Sequence, residues 1–395
     1  MSRSPSAVNS RLRLSRRAAT ILQSEIRNMS LECDRVGGIN LSQGVCDTPV
    51  PVEVKQGAFD GVEEGFNTYT RYDGLDELRR AIAARRRLDY GLAVDPSSEI
   101  VVSAGATGAL YCVCLALLDP GDEVVLFEPY YGYHVSTLLS VGAVPAYVPM
   151  RPPDWTFAPD DLERAVTPRT RAILVNTPGN PSGKVFTRDE LEQIAEVAGR
   201  HDLFVFTDEI YEYFVYDGRR HVAPASVAGL ADRTISISGF SKTFSITGWR
   251  VGYSVSPARW TETIGYYNDL VYVCAPAPLQ VGVARGLARL GEAYYSGLRS
   301  EYLAKRDQIC DALGLAGLTP HVPQGAYYVL ADVSSLPGRT SKARAMHLLD
   351  RTGVAAVPGD AFFNDERGSS LVRFCYAKSA RDLDEACERL ARLRA

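Results

Sequence analysis

From Ile100 onward, seven short apolar runs recur between stretches of helical spacing. They are Ile100 to Ser103, Val124 to Phe127, Ala146 to Val148, Ala172 to Val175, Phe204 to Thr207, Thr234 to Ile237 and Val251 to Val255. Runs this apolar, too short for helices and separated by helical segments, predict strands covered on both faces, hence a mostly parallel seven-stranded sheet between helices. Ligands in such sheets bind at the carboxyl ends of the strands. The distinctive local motifs of this chain fall where those ends are expected.

Length and composition bound the rest. A chain of 395 residues with 46% apolar and 23% charged residues reads as a soluble globular enzyme of two or three domains, or one large and one small. A formal charge of −4 gives no general attraction to nucleic acid or to an anionic membrane. No run of 18 apolar residues is present, so no membrane span is expected. Eight scattered cysteines and only five histidines, without metal-ligand spacing, predict reduced thiols, a cytoplasmic location and no metal site. The first 30 residues are rich in Arg and Ser and have no acid before Glu25. That composition fits a transit peptide or a basic N-terminal arm; we favour the arm, loosely ordered over residues 1 to 10, with Leu14-Ser15-Arg16-Arg17 leading into a helix.

The most informative stretch runs from Ser238 to Gly252, SGFSKTFSITGWRVG. Lys242 sits among small and aromatic residues between two strands, so its neighbours read as interior. Burial destabilises an ammonium and frees part of it as the amine, a nucleophile toward aldehydes. Arg250, eight residues on, stands ready to hold an anion carried with the aldehyde. Gly239, Ser241, Lys242, Gly248, Arg250 and Gly252 together resemble the lysine signature of class I and II aminotransferases, which use pyridoxal 5'-phosphate (PLP) on the fold type I scaffold.

Other strand ends agree. After Ser103, the small residues Gly105, Ala106 and Thr107 open a helix whose free N–H groups and dipole make an anion site, here a phosphate cradle. Glu128-Pro129-Tyr130-Tyr131 offers Tyr131 as the aromatic partner for a flat ring, with His134 as a partner of Asp208. The turn Asn176-Thr177-Pro178-Gly179-Asn180-Pro181-Ser182-Gly183 resembles the family's Asn-Pro-X-Gly motif, and the resemblance assigns Asn180 to the ring oxygen of PLP. Asn176 reads as structural. Asp208, at the end of its strand, can bond a pyridinium N–H and keep the ring an electron acceptor, and Tyr211 three residues on can reach the same oxygen as Asn180. Glu209 and Glu212 read as structural or solvated.

The resemblance implies further roles. Lys242 would form a Schiff base with PLP and carry the proton at the substrate, and Arg250 would pair with the phosphate. Many relatives have a serine three residues before the lysine; here it is Gly239, so Ser238, Ser241, backbone or water must substitute, and we favour Ser241. Gly44, after Ile39 to Gln43, would lie beside the substrate carboxylate, although the Pro-Asp pair of many members is Cys46-Asp47 here. Tyr69, five residues before Gly74, would reach across a homodimer interface to the phosphate, so that active sites are shared between two chains. Arg373 lies in the apolar run Leu371 to Tyr376, where an unpaired guanidinium is costly and a bidentate carboxylate is its best partner. In the family that arginine holds the substrate α-carboxylate.

The chain therefore predicts an α/β protein of PLP fold type I with a large domain and a smaller α+β domain. Residues 1-44 form an N-terminal arm and part of the small domain, 45-285 the large PLP-binding domain and 286-395 the small one. Helical patterns from Val281 to Leu313, a strand over Pro323 to Leu330 and a helix over Ser341 to Arg351 are expected in the latter part. The implied activity is transfer of the amino group of an α-amino acid to a 2-oxo acid by a ping-pong mechanism. A PLP-dependent β-lyase of the cysteine-conjugate type keeps every motif and remains the alternative. A non-catalytic PLP-binding regulator is remote, because about 40 residues before Gly44 leave no room for a DNA-binding domain. Arg71 is a candidate for a distal substrate carboxylate, while Tyr72, Phe244 and Tyr327 suit a neutral or aromatic pocket.

Overall fold

The computed structural model describes residues 14–15, 18, 21 and 23–394. The loosely ordered arm expected over residues 1 to 10, and the Arg16-Arg17 pair, lie outside the described residues. Helix α1 (Glu25–Val36) opens on the Ser24 hydroxyl, which accepts from the Ile26 N–H, and closes on Gly37 in the left-handed region. Strand β1 (Ile39–Asn40) and helices α2 (Val52–Glu63) and α3 (Asp76–Tyr90) follow.

The central part alternates as the apolar runs predict: β2 (Ile100–Ser103), α4 (Gly105–Leu117), β3 (Glu123–Glu128), α5 (Gly132–Val141), β4 (Val144–Pro149), α6 (Pro159–Ala165), β5 (Thr170–Asn176), α7 (Arg188–Arg200), β6 (Phe204–Asp208), β7 (Thr234–Gly239) and β8 (Gly252–Val255). These strands form one seven-stranded sheet in the order β2-β8-β7-β6-β5-β3-β4. Strands β4, β3, β5, β6 and β7 are mutually parallel, and only β8 runs antiparallel, to β7 on one side and β2 on the other. The carboxyl ends of the other six strands therefore share one edge. Alternate side chains feed two cores. Val124, Leu126, Leu174 and Phe206 pack on one face with Val113 and Leu138, while Val125, Phe127, Ile173 and Val205 pack on the other with Leu162 and Leu191. Edge strand β4 carries Pro145 and Pro149 and is only partly buried, as a strand that pairs on one side tolerates.

The chain continues through α8 (Ala258–Tyr272), α9 (Ala277–Arg289), α10 (Glu292–Leu315), β9 (Thr319–His321), β10 (Tyr328–Asp332), α11 (Ser341–Thr352), β11 (Val354–Ala355), β12 (Val357–Pro358), β13 (Leu371–Cys375) and α12 (Ala380–Ala391). A four-stranded antiparallel sheet forms in the order β12-β13-β10-β9. β1 pairs in parallel with β11, Ile39 opposite Val354, and Met29 and Cys33 of α1 join the core that holds Leu348, Leu349 and Leu383. Two expectations need correction. The strand expected over Pro323 to Leu330 begins at Tyr328, because Gln324 and Gly325 donate their N–H groups to Gly183 O and make a turn instead. The boundary expected between 285 and 286 falls inside α9, which packs on α2 and α3.

Phe206 is fully buried in the middle of the sheet. Phe206→Ala should cost about 3–5 kcal/mol by lost burial and a residual cavity, read as a lower urea midpoint with an unchanged slope.

Candidate active site

The shared strand edge opens into a cavity of about 400 Å³, within the range of small-molecule sites. The expected residues Gly44, Ala106, Thr107, Tyr131, His134, Asn180, Asp208, Tyr211, Ser241, Lys242 and Arg250 all line it. They come from separate strand ends, so the sheet topology is what assembles them.

Lys242 follows β7 and is half-buried. Its Nζ donates to Gly44 O at 2.8 Å and lies 5.8 Å from the centre of the Tyr327 ring. Burial lowers its pKa, and Arg250 adds to the effect against opposing contributions from Cys46, Cys375 and Asp208. Asp208 closes β6, and its Oδ2 sits 2.8 Å from His134 Nε2, which α5 presents from the next strand end but one. The Tyr131 ring packs edge-on against His134, with centres 5.2 Å apart.

Tyr211 OH lies 3.0 Å from Tyr328 OH. Burial and the neighbouring Tyr328 hold the Tyr211 phenol well above its ordinary pKa, so it stays a neutral donor. The Asn180 backbone N–H donates to Asn176 Oδ1 at 2.8 Å, and Asn176 Nδ2 donates to Asp208 O at 3.0 Å, which makes Asn176 the tie between two strand ends.

Helix α4 begins at the cavity, and no side chain caps its first turn. Its free N–H groups and dipole favour an anion there. Arg250 closes the same corner. Its Nη1 donates to Thr247 O at 2.9 Å, and its backbone is left-handed at φ 56°. The expected Gly105 does not itself line the cavity but backs this corner: at φ 77°, with its missing side chain pointing at the Arg250 guanidinium, only glycine fits. Ser238 is bonded to Glu212 Oε1 at 2.8 Å, so of the two serines only Ser241 faces the cavity.

Arg373 lies behind the lining, fully buried on β13. It donates to Asn180 Oδ1 at 2.8 Å and to Ser42 O at 2.5 Å, and its guanidinium covers the Tyr328 ring at 4.3 Å. Its Nε is buried without a partner. Tyr69 does not join this cavity within one chain; it is 81% exposed. Phe244 packs in the core against Phe240, and Tyr72 against Tyr266, so neither lines the cavity. Arg71 is forked onto Asp73 at 3.0 and 2.9 Å and is likewise outside.

Sequence reasoning missed Tyr328, Tyr133, Gln43 and Ile26, all of which line the cavity. The Tyr327-Tyr328 pair is the available signal, but adjacency in sequence does not say which of the two faces the site. Here Tyr328 faces it, while Tyr327 lies beneath and donates to Gly44 O at 3.2 Å. No helix among the described residues is long and apolar enough to cross a membrane.

Comparison with known proteins agrees with this geometry. The model of the family "Aminotransferase class I and II" matches residues 36–390. The chain is 38% identical to the probable N-succinyldiaminopimelate aminotransferase DapC of Mycobacterium tuberculosis, over 92% of this chain and 94% of the relative. It is 36% identical to kynurenine–oxoglutarate transaminase 3 of Rattus norvegicus, over 89% of this chain and 84% of the relative. The solved structure of N-succinyldiaminopimelate aminotransferase from Mycobacterium tuberculosis superposes with a TM-score of 0.93 at 37% identity, covering 96% of this chain and all of that one. These relatives are aminotransferases, which leaves the β-lyase alternative without support. The chain belongs to the class I and II aminotransferases, with their fold type I architecture, and is an aminotransferase.

Proposed function

We propose that this cavity binds PLP and that Lys242 carries the transfer of an amino group from an α-amino acid to a 2-oxo acid. The observation that carries the reading is a half-buried amine, its pKa lowered by desolvation, in one cavity with a carboxylate–imidazole pair, an uncapped helix start and an arginine. The donor set fits the cofactor. The helix start with Arg250, Ser241 and the N–H groups of Gly105, Ala106 and Thr107 suits a phosphate, Tyr131 suits the face of a ring, and the cavity has room for both.

When bound, PLP supplies an aldehyde that accepts the amino group and a protonated ring that draws electrons from the substrate Cα. Lys242 Nζ would hold the cofactor by its aldehyde group and would serve as the base that moves the proton at the substrate Cα. Asp208, oriented by His134, keeps the ring nitrogen protonated. Tyr211 and Asn180 donate to the ring oxygen, with Tyr328 fixing the Tyr211 hydroxyl. Arg373 takes the substrate carboxylate beside Gly44 in its planar fork, and its partnerless Nε supports that role.

The working unit is a homodimer in which Tyr69 completes the partner's phosphate site. Its 81% exposure supports this, as does an exposed apolar set on α2 and α8: Val52, Phe59, Val62, Tyr266 and Leu270. Helix α1 and β1, with α10 and the elements that follow it, form a small domain against the large one, and eight free thiols suit a reducing cytoplasm.

The direct test is the absorbance of the purified protein as single amino acids are added. A near-visible band that fades with a donor and returns with 2-oxoglutarate is expected. Lys242→Ala should lose that band and about 10²–10⁴-fold in kcat, and a wild-type protein with no band in added PLP would sink the assignment. Tyr69→Phe should weaken cofactor retention roughly tenfold, the loss of about one hydrogen bond to a charged group, in a dimer of unchanged size by light scattering.

In cofactor-free protein, the lowered Lys242 pKa means the unfolded chain binds more protons between the folded pKa and the ordinary lysine value. Stability at this site therefore rises with pH across that window. Lys242→Met should be more stable than wild type near neutral pH, with the gap closing as pH climbs; urea midpoints across pH check the sign.

A further inference from the structure

The turn Asp208-Glu209-Ile210-Tyr211-Glu212 has two sides. Asp208 and Tyr211 line the cavity, while Glu209 and Glu212 are buried on the far side. Both meet one cation. Arg86 of α3, also buried, brings Nη1 to 3.3 Å from Glu209 Oε2 and 3.9 Å from Glu212 Oε2, and its Nη2 donates to Ser236 Oγ on β7 at 3.2 Å. All four carboxylate oxygens have further partners. Thr207 donates to Glu209 Oε1 at 2.7 Å, and His221 Nε2 lies 2.9 Å from Glu209 Oε2. Tyr90 OH donates to Glu212 Oε2 at 2.5 Å, and Ser238 OH to Glu212 Oε1 at 2.8 Å. Glu209, Glu212 and His221 place ligand atoms within 4.8 Å of one another, as a metal site would, but the Arg86 guanidinium already supplies the positive charge there.

Burying an arginine with two carboxylates is a poor way to gain stability, since apolar groups of similar volume do as well or better. What the arrangement supplies is a fixed geometry. It joins α3, the turn and β7, and β7 delivers Lys242 four residues after Ser238. We infer that Arg86 is a positioning residue for the transamination: through Glu209 and Glu212 it sets where Asp208 and Tyr211 stand relative to the cofactor ring and to Lys242. The charges agree with this. Burial raises the Glu209 carboxyl, yet Arg86 and His221 outweigh it and hold it at about 2, so the Arg86–Glu209 pair stays ionised. The inference rests on the proposed roles of Asp208, Tyr211 and Lys242.

The test is Arg86→Met in the holoenzyme, followed by kcat, KM for the amino donor and the pH midpoint of the near-visible band. A displacement of about 1 Å of the turn predicts a loss of roughly 10²-fold in kcat, a near-unchanged KM and a shifted midpoint, with Arg86→Lys restoring most of the loss. A folded variant with wild-type kcat and midpoint overturns the inference. So does a loss of kcat that merely tracks the folded fraction while the midpoint stays put. If Arg86→Met does not fold, Tyr90→Phe combined with Ser238→Ala removes two bonds from Glu212 without orphaning a charge. A shifted midpoint with lowered kcat then supports the inference, and wild-type values overturn it. Failure of the underlying reading is separate, because it would appear as a wild-type protein without any band.

Discussion

The structure depends on the direction of its strands. A parallel sheet must return by a crossover after every strand, so each carboxyl end is followed by a loop and usually a helix on the same edge. Five parallel strands and β2, which the antiparallel β8 connects to them, bring six such ends together. Side chains as distant in sequence as Ala106 and Arg250, or Asn180 and Lys242, become neighbours without any one of them being held by its own segment. The buried strands pack by apolar contact on two faces, which makes that edge stiff, and a stiff edge is what lets short polar loops hold chemistry in place.

Within that frame, the polar groups are held in tiers. Those on the cavity are each fixed by a partner just behind: His134 behind Asp208, Asn176 behind Asn180, Tyr328 beside Tyr211. The next tier is ionic. Glu128, at the end of β3, accepts from the Asn364 N–H at 2.7 Å and pairs with Arg367, so the strand end that precedes Tyr131 is bound to the C-terminal part of the chain. Such contacts cost desolvation, but they convert loops into parts with one position.

Most of the sheet was legible because strands buried on both faces read as unbroken apolar runs, and Val124 to Phe127 or Ala172 to Val175 admit no other reading. The site residues were legible where a motif joins a strand end to a rare residue pattern, as at Asn180-Pro181 and Ser241-Lys242. Illegible parts have physical reasons. The sequence sets the start of β10 too early because Ala326 and Tyr327 continue the apolar pattern upstream of the pairing, while the backbone of Gln324 and Gly325 is committed to Gly183. Arg86 stands in Arg85-Arg86-Arg87, a run that resembles a solvated helix face, and only packing distinguishes the middle arginine, 2% exposed, from its neighbours. Glu209 and Glu212 read in sequence as structural or solvated; both are buried, and their partners Arg86 and Tyr90 sit more than 100 residues upstream on α3.

The carbonyl of Gly44 accepts from Lys242 Nζ and from Tyr327 OH together. It belongs to the segment that follows β1, and β1 is paired with β11 near the C-terminal end of the chain. The amine at the centre of the cavity is thus tethered, through one peptide group, to a strand pair outside the large sheet. One peptide carbonyl is therefore where the large sheet's lysine and the β1–β11 pair meet.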